Sequence, residues 1–297
     1  MTTDRAKILV AGYYAEGDGY PNGRITQSLL AERLGLDLRD LGAAMGDRPL
    51  WKMAGDGAVA KLATLARIVF HNTVSALRVL WHGRRRRDVV YVRYPAIPFM
   101  LLMSLLPRRL RPRCYVDAFI SIWDSMFVDR RRDTSGRAAR VVRALERRAL
   151  AAADKVLVDT VANAAYMIEQ FGLVPERVIA LPLGVDESAW VRPTDSERGD
   201  TRFTITFIGT FIPLHGIATI AAAVTRFDAS ENIRFRFVGD GQEAPVLAEL
   251  IARRPDLAID WQREWQTPRQ LAAIVAQSDV CLGVFGGGGK AARVLPY

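Results

Sequence analysis

Two fixed cations, Lys290 and Arg293, follow directly on the tetraglycine Gly286 to Gly289, where a helix is due to begin. Unhindered backbone amides beside side chains that stay charged at neutral pH are a means of holding a diphosphate. In GTFIPLHGI, residues 209 to 217, a glycine follows the apolar run Phe203, Ile205, Phe207, Ile208, and Gly216 precedes a helix-like segment. Val238-Gly239-Asp240-Gly241 closes a similar run. Glycine turns also serve geometry alone, and a glycine loop with solvated charges is the plain alternative. Three such turns leaving the same edge of one sheet nevertheless make an anion the natural guest.

Other chemistries find less support. Asp117, Asp124 and Asp129 in DAFISIWDSMFVDR form an acidic set beyond a strand that ends at Val116. They suit a general base, a sugar-hydroxyl binder, or ordinary helix-start and ion-pair residues beside Arg130 to Arg132. His71 and His82 are eleven apart on one expected helix, off ligand spacing and with no cysteine near, so no metal site is expected. Gly12, Gly17 and Gly19 do not make a dinucleotide fingerprint, and neither a nucleophile elbow nor a Walker loop occurs. Cys114 and Cys281 lie far apart on expected strands and read as buried free thiols.

Positioning these residues requires an alternation of short Val/Ile-rich runs with longer helical segments. Strands are expected at Ile8 to Ala11, Val89 to Val92, Cys114 to Val116, Val156 to Val158 and Val178 to Leu181. Helices fall at Ile25 to Leu34, Val59 to Trp81, Ala138 to Ala152 and Ala162 to Phe171. After a polar stretch, Asp186 to Thr201, strands recur at Phe203 to Ile208, Phe235 to Val238, Leu257 to Ile259 and Val280 to Val284. Helices begin near Gly216, Glu243 and Pro268, the last with a capping-box signature, Thr267-Pro268-Arg269-Gln270. This is an α/β chain of two Rossmann-like domains, 1–185 and 186–297, the second short of strands and ending after a glycine turn.

In a chain of 297 residues, half of them hydrophobic, no stretch is long enough to span a bilayer; the longest, Ala96 to Leu106, holds Pro98. No signal peptide is evident, so a cytoplasmic protein is expected. The net charge of +9 is uneven: Lys and Arg outnumber Asp and Glu by 29 to 18 in residues 1–185 and trail by 12 to 14 in 186–297. Arginines cluster at Arg84 to Arg87, at Arg108, Arg109, Arg111 and Arg113, and at Arg130 to Arg132. Such clusters meet anionic lipid or plain water; with Trp81 and the apolar 96–106 segment they suit an interfacial surface peripheral to a membrane. No nucleic-acid motif accompanies the charge.

VLVDTVANAAYMIEQFGLVPERVIALPLGVD, FIGTFIPLHGIATIAAAV, FRFVGDGQE, SDVCLGVFG and KAARVLP, with VDAFISIWDSMFVDR in the first half, together resemble the family 4 glycosyltransferases. These are retaining enzymes of the type B fold, in which two Rossmann-like domains face each other across a cleft. The resemblance implies a nucleotide-sugar donor held by the second domain, a glycan, lipid-linked or small-molecule acceptor held by the first, and neither cofactor nor essential metal. It places Gly209, Thr210, Phe211, His215, Gly216, Gly239, Asp240, Trp265, Gly287, Lys290 and Arg293 around the donor, and Asp117 or Asp124 by the acceptor or donor sugar. The family's diphosphate-gripping Arg and Lys at the first turn are Thr210 and His215 here, so Lys290 and Arg293 inherit that task. The family's paired glutamates, seven apart, would fall near Arg293 and just beyond Tyr297. A sugar-nucleotide epimerase and a catalytically silent scaffold of the same fold are the rival readings, the first disfavoured by only three histidines.

Overall fold

The computed structural model describes residues 7–16, 22–46, 57–82, 88–128, 130, 132–184 and 202–293. The chain divides into two compact units, Met1–Val128 with Asp133–Val185, and Asp129–Arg132 with Asp186–Tyr297. Arg84 to Arg87, Gly17, Gly19, Asp129, Arg131 and the 186–201 stretch lie outside the described residues.

The first unit is built on a six-stranded parallel sheet in the order β3-β1-β5-β6-β7-β8. Its strands are β1 (Lys7–Ala11), β3 (Asp37–Asp40), β5 (Val89–Val92), β6 (Arg113–Asp117), β7 (Lys155–Val158) and β8 (Val178–Ala180). A small parallel pair, β2 (Tyr13–Tyr14) and β4 (Ala43–Ala44), stands apart from it. Strands covered by helices on both faces read as continuous apolar runs, and VVYV and KVLV are almost wholly buried. The helices are α1 (Asn22–Leu34), α2 (Ala58–His82), α3 (Ile97–Ser104), α4 (Arg137–Ala151) and α5 (Val161–Phe171).

Two elements differ from expectation. β3, DLRD, is exposed at all four residues and carries no apolar signal; it exists through its backbone ladder with β1 at the sheet edge. Residues 96–106, read as interfacial, form α3, with Pro98 tolerated in its first turn and Phe99, Met100 and Met103 buried in the core beside Val79 and Val92. Most of this apolar segment packs into the interior, while Leu105 at its end is exposed.

The second unit holds a four-stranded parallel sheet, β11-β10-β9-β12, formed by β9 (Phe203–Ile208), β10 (Ile233–Val238), β11 (Ala258–Gln262) and β12 (Val280–Leu282). Its helices are α6 (Ile217–Val224), α7 (Ala244–Arg253) and α8 (Pro268–Ala276). Phe207, Phe211, Phe235, Phe237, Ile217 and Leu247 lead its core. The capping box at Thr267 forms as the sequence indicates, with Thr267 N donating to Gln270 Oε1 at 2.8 Å and Gln270 N to Thr267 Oγ1 at 3.4 Å. Cys114 is buried, but Cys281 is exposed, because β12 lies at the edge of the second sheet.

Candidate functional site

β9 and β10 run in register to Ile208 and Val238, so Gly209 and Gly239 sit side by side at their carboxyl ends, where open parallel sheets bind ligands. Gly209 N donates to Val238 O at 3.0 Å. Gly239 has φ of +128°, and a Cβ there would lie 1.9 Å from Gly209 O; no other residue fits. The 209–216 turn ends in Gly216, at φ of +69°, where a Cβ would meet the backbone carbon of Phe285 at 2.4 Å. That contact joins the first and third turns. Phe285 N donates to His215 O and Gly286 N to Leu214 O, both at 3.0 Å. The three glycine turns expected to converge are thus gathered along one sheet edge. Lys290 follows within a few residues, and Arg293 N donates to Lys290 O at 3.0 Å.

The electrostatics of this edge differ in part from expectation. Burial lowers His215 below the ordinary histidine value, the nearby Thr210 backbone opposes this, and the Lys290 charge lowers it further. His215 is therefore neutral at pH 7. Several amides expected to face an anion are already committed. Besides Gly209, Phe211 N donates to Asp240 O, Ile212 N to Thr210 O and His215 N to Ile212 O. At the start of α6, Ile217 N donates to Glu243 Oε2 at 3.0 Å. A carboxylate already occupies this positive helix end.

The other donor-side residues divide by exposure. Phe211 is core, stacked on Trp261 with ring centroids 6.0 Å apart, so its side chain is turned away from any ligand. Asp240 Oδ2 accepts from Arg263 Nη2 at 2.9 Å, and Arg263 lies over the Trp261 ring at 4.7 Å. Sequence reasoning passed over Arg263 and Glu243, since neither stands in a recognisable spacing. Thr210, Gly287 and Trp265 are exposed.

In the first unit, Asp117 ends β6 deep in the fold, and burial pushes its carboxyl up to about 7 against the opposing Arg93 charge. Tyr91 Oη donates to its Oδ2 at 3.4 Å. Asp124 is equally buried and accepts from Tyr166 Oη at 2.8 Å, a bond that ties it to α5. Beside it Glu146, also pushed up to about 7 by burial, accepts from Trp123 N at 2.7 Å, Ile122 N at 3.0 Å and Ser121 Oγ at 3.1 Å. The feature that sequence reasoning missed here is Arg93. Its guanidinium is buried, 4.1 Å over the Tyr14 ring and 3.7 Å from Glu16, with Nε and Nη1 lacking a hydrogen-bond partner among the described residues. An arginine immediately after the buried strand VVYV was the available signal.

Two units on parallel sheets, with a cluster of glycine turns at the carboxyl edge of the second, have the fold of type B glycosyltransferases. The fold is similar to that of HepE from Anabaena in complex with UDP-glucose, at TM-score 0.57 and 15% identity over 93% of this chain and 72% of that one. Sucrose-phosphate synthase from Thermosynechococcus elongatus gives 0.60 and 14% over 93% and 75%. The catalytic domain of starch synthase IV from Arabidopsis thaliana, bound to ADP and acarbose, gives 0.61 and 10% over 93% and 77%. No curated protein matches the sequence. The glycosyl transferase 4-like domain matches residues 17–184, more than half of the chain. The chain belongs to this family and is a glycosyltransferase.

Proposed function

We propose that the protein moves a sugar from a nucleoside-diphosphate sugar to a glycan, lipid-linked or small-molecule acceptor, with retained anomeric configuration and no essential metal or cofactor. The second unit takes the donor and the first the acceptor. Transfer breaks the anomeric carbon–oxygen bond; the electron pair leaves on the diphosphate as the sugar becomes oxocarbenium-like, and catalysis lies in stabilising that leaving group. Lys290 and Arg293 receive its charge, neutral His215 offers one hydrogen bond, and Arg263 and Trp265 flank the nucleoside. The observation that supports this reading is the closure of the third turn on the first, through Phe285 N to His215 O and Gly286 N to Leu214 O, four residues ahead of Lys290. The protein works in the cytoplasm, peripheral to an anionic membrane surface, as the basic first 185 residues suggest; among the described residues no helix is long and apolar enough to cross one.

Isothermal titration with UDP and GDP tests the donor site. Lys290→Ala and Arg293→Ala should each weaken binding by roughly ten- to a hundredfold, the range of a charge-assisted contact. Turnover should be insensitive to EDTA. Wild-type-like affinity in both variants would remove the proposed leaving-group site, and absence of heat with either nucleotide would favour a silent scaffold.

A further inference from the structure

α2 is a helix of 25 residues that buries four of them and leaves many of its apolar side chains exposed. Asn72, Ser75, Ala76 and Val79 are buried against the first sheet. Elsewhere on the helix Val59, Leu62, Leu65, Val69, Phe70, Leu77 and Trp81 are exposed, by 83%, 67%, 56%, 54%, 62%, 62% and 74%. At 100° per residue all of these but Leu65 lie within an arc of about 120°, forming a straight stripe about 33 Å long. Thr73, the polar residue on the stripe, is exposed, and its hydroxyl donates to Val69 O at 2.8 Å. Between 58 and 70 only Thr64 and Ile68 are less than exposed. An apolar stripe this long on the solvent side is not required by the core and marks an interaction surface.

Charge identifies the occupant. Residues 58–82 contain no Asp or Glu; Lys61, Arg67 and Arg78 are their fixed charges, and Arg84 to Arg87 follow in sequence. A second copy of this chain would set the same cations against one another. A flat surface that is apolar below and anionic above satisfies both features along the full stripe. We infer that α2 lies in the interface of an anionic bilayer, its Val59-to-Trp81 stripe among the acyl chains and its basic residues at the headgroups. The inference rests on the membrane-surface reading above and names α2 as the element that carries it.

The full chain should pellet with vesicles of phosphatidylglycerol and phosphatidylcholine, and much less with phosphatidylcholine alone. The triple variant Leu62→Glu, Val69→Glu, Phe70→Glu replaces exposed side chains, so its circular dichroism and UDP titration should stay as in the wild type. Its vesicle affinity should fall at least tenfold, since one buried apolar side chain is worth about that factor. Phe70→Trp should shift its fluorescence to the blue on adding the anionic vesicles. Pelleting of the triple variant like the wild type, or an unshifted Phe70→Trp emission, would overturn the role of α2 while leaving membrane association standing. Failure of the wild type to pellet would remove both, and a wild-type dimer that the triple variant dissolves would assign the stripe to a second copy.

Discussion

At the scale of single residues, the consequential groups are those whose charge state the fold dictates. Asp117 titrates near 3.8 in the unfolded chain and near 7 in the folded one, because burial disfavours the carboxylate more than Arg93 favours it. Between these pH values the folded chain keeps a proton that the unfolded chain has lost. Stability therefore falls as pH rises through that interval and levels off above it, by at most about 1.4 kcal/mol per pH unit per group. Asp117→Asn removes the titration while keeping an oxygen to accept from Tyr91. Urea unfolding at pH 5 and pH 8 should show a shallower loss for the variant than for the wild type; an unchanged difference would mean that Asp117 is ionised throughout. Sequence spacing could name Asp117, Lys290 and Arg293, since glycine runs and strand ends are visible in one dimension. It could not separate Asp124, bound to Tyr166, from an accessible carboxylate, or find Arg93, because burial depends on partners distant in the chain.

At the scale of elements, α6 shows how the second unit allots its positive ends. Gly216 caps the helix without a side chain, and Glu243, at the start of α7, reaches across to accept from Ile217 N. Truncating it in Glu243→Ala should cost about 0.5–2 kcal/mol, as lost N-caps do, read as a lower urea midpoint. Glu243→Gln keeps an acceptor oxygen but removes the negative charge from the edge where Lys290 stands. It should leave stability near the wild type and strengthen UDP binding by roughly two- to fivefold, the worth of one charge at a helix end. Weaker UDP binding in Glu243→Gln would show instead that the carboxylate serves the ligand. The buried strands and the amphipathic helices were legible because burial on both faces, or on one, leaves its own periodicity. β3 was not legible, since a ladder bond at a sheet edge asks nothing of side chains, and the depth of 96–106 was not, because an apolar run reads alike in a core and at a membrane; Phe99, Met100 and Met103 are core while Leu105 is exposed.

At the scale of the whole molecule, each apolar cluster among the described residues lies within one unit: those around Val92 and Tyr91 in the first, that around Phe207 in the second. Burial supplies the main favourable term in folding, so two separate cores imply two cooperative transitions, each responding to its own ligands. A nucleoside diphosphate bound at the 209–216 turn stabilises only the unit that holds that turn, by about 2.7 kcal/mol at a hundredfold excess over its Kd. Trp123, buried in the first core, and Trp261, stacked on Phe211 in the second, report the two transitions separately in variants that retain one tryptophan each. With saturating UDP the Trp261 transition should move to higher denaturant while the Trp123 transition stays in place. Equal shifts of both would show the units to be coupled in folding, and a shift confined to Trp123 would move the donor to the first unit.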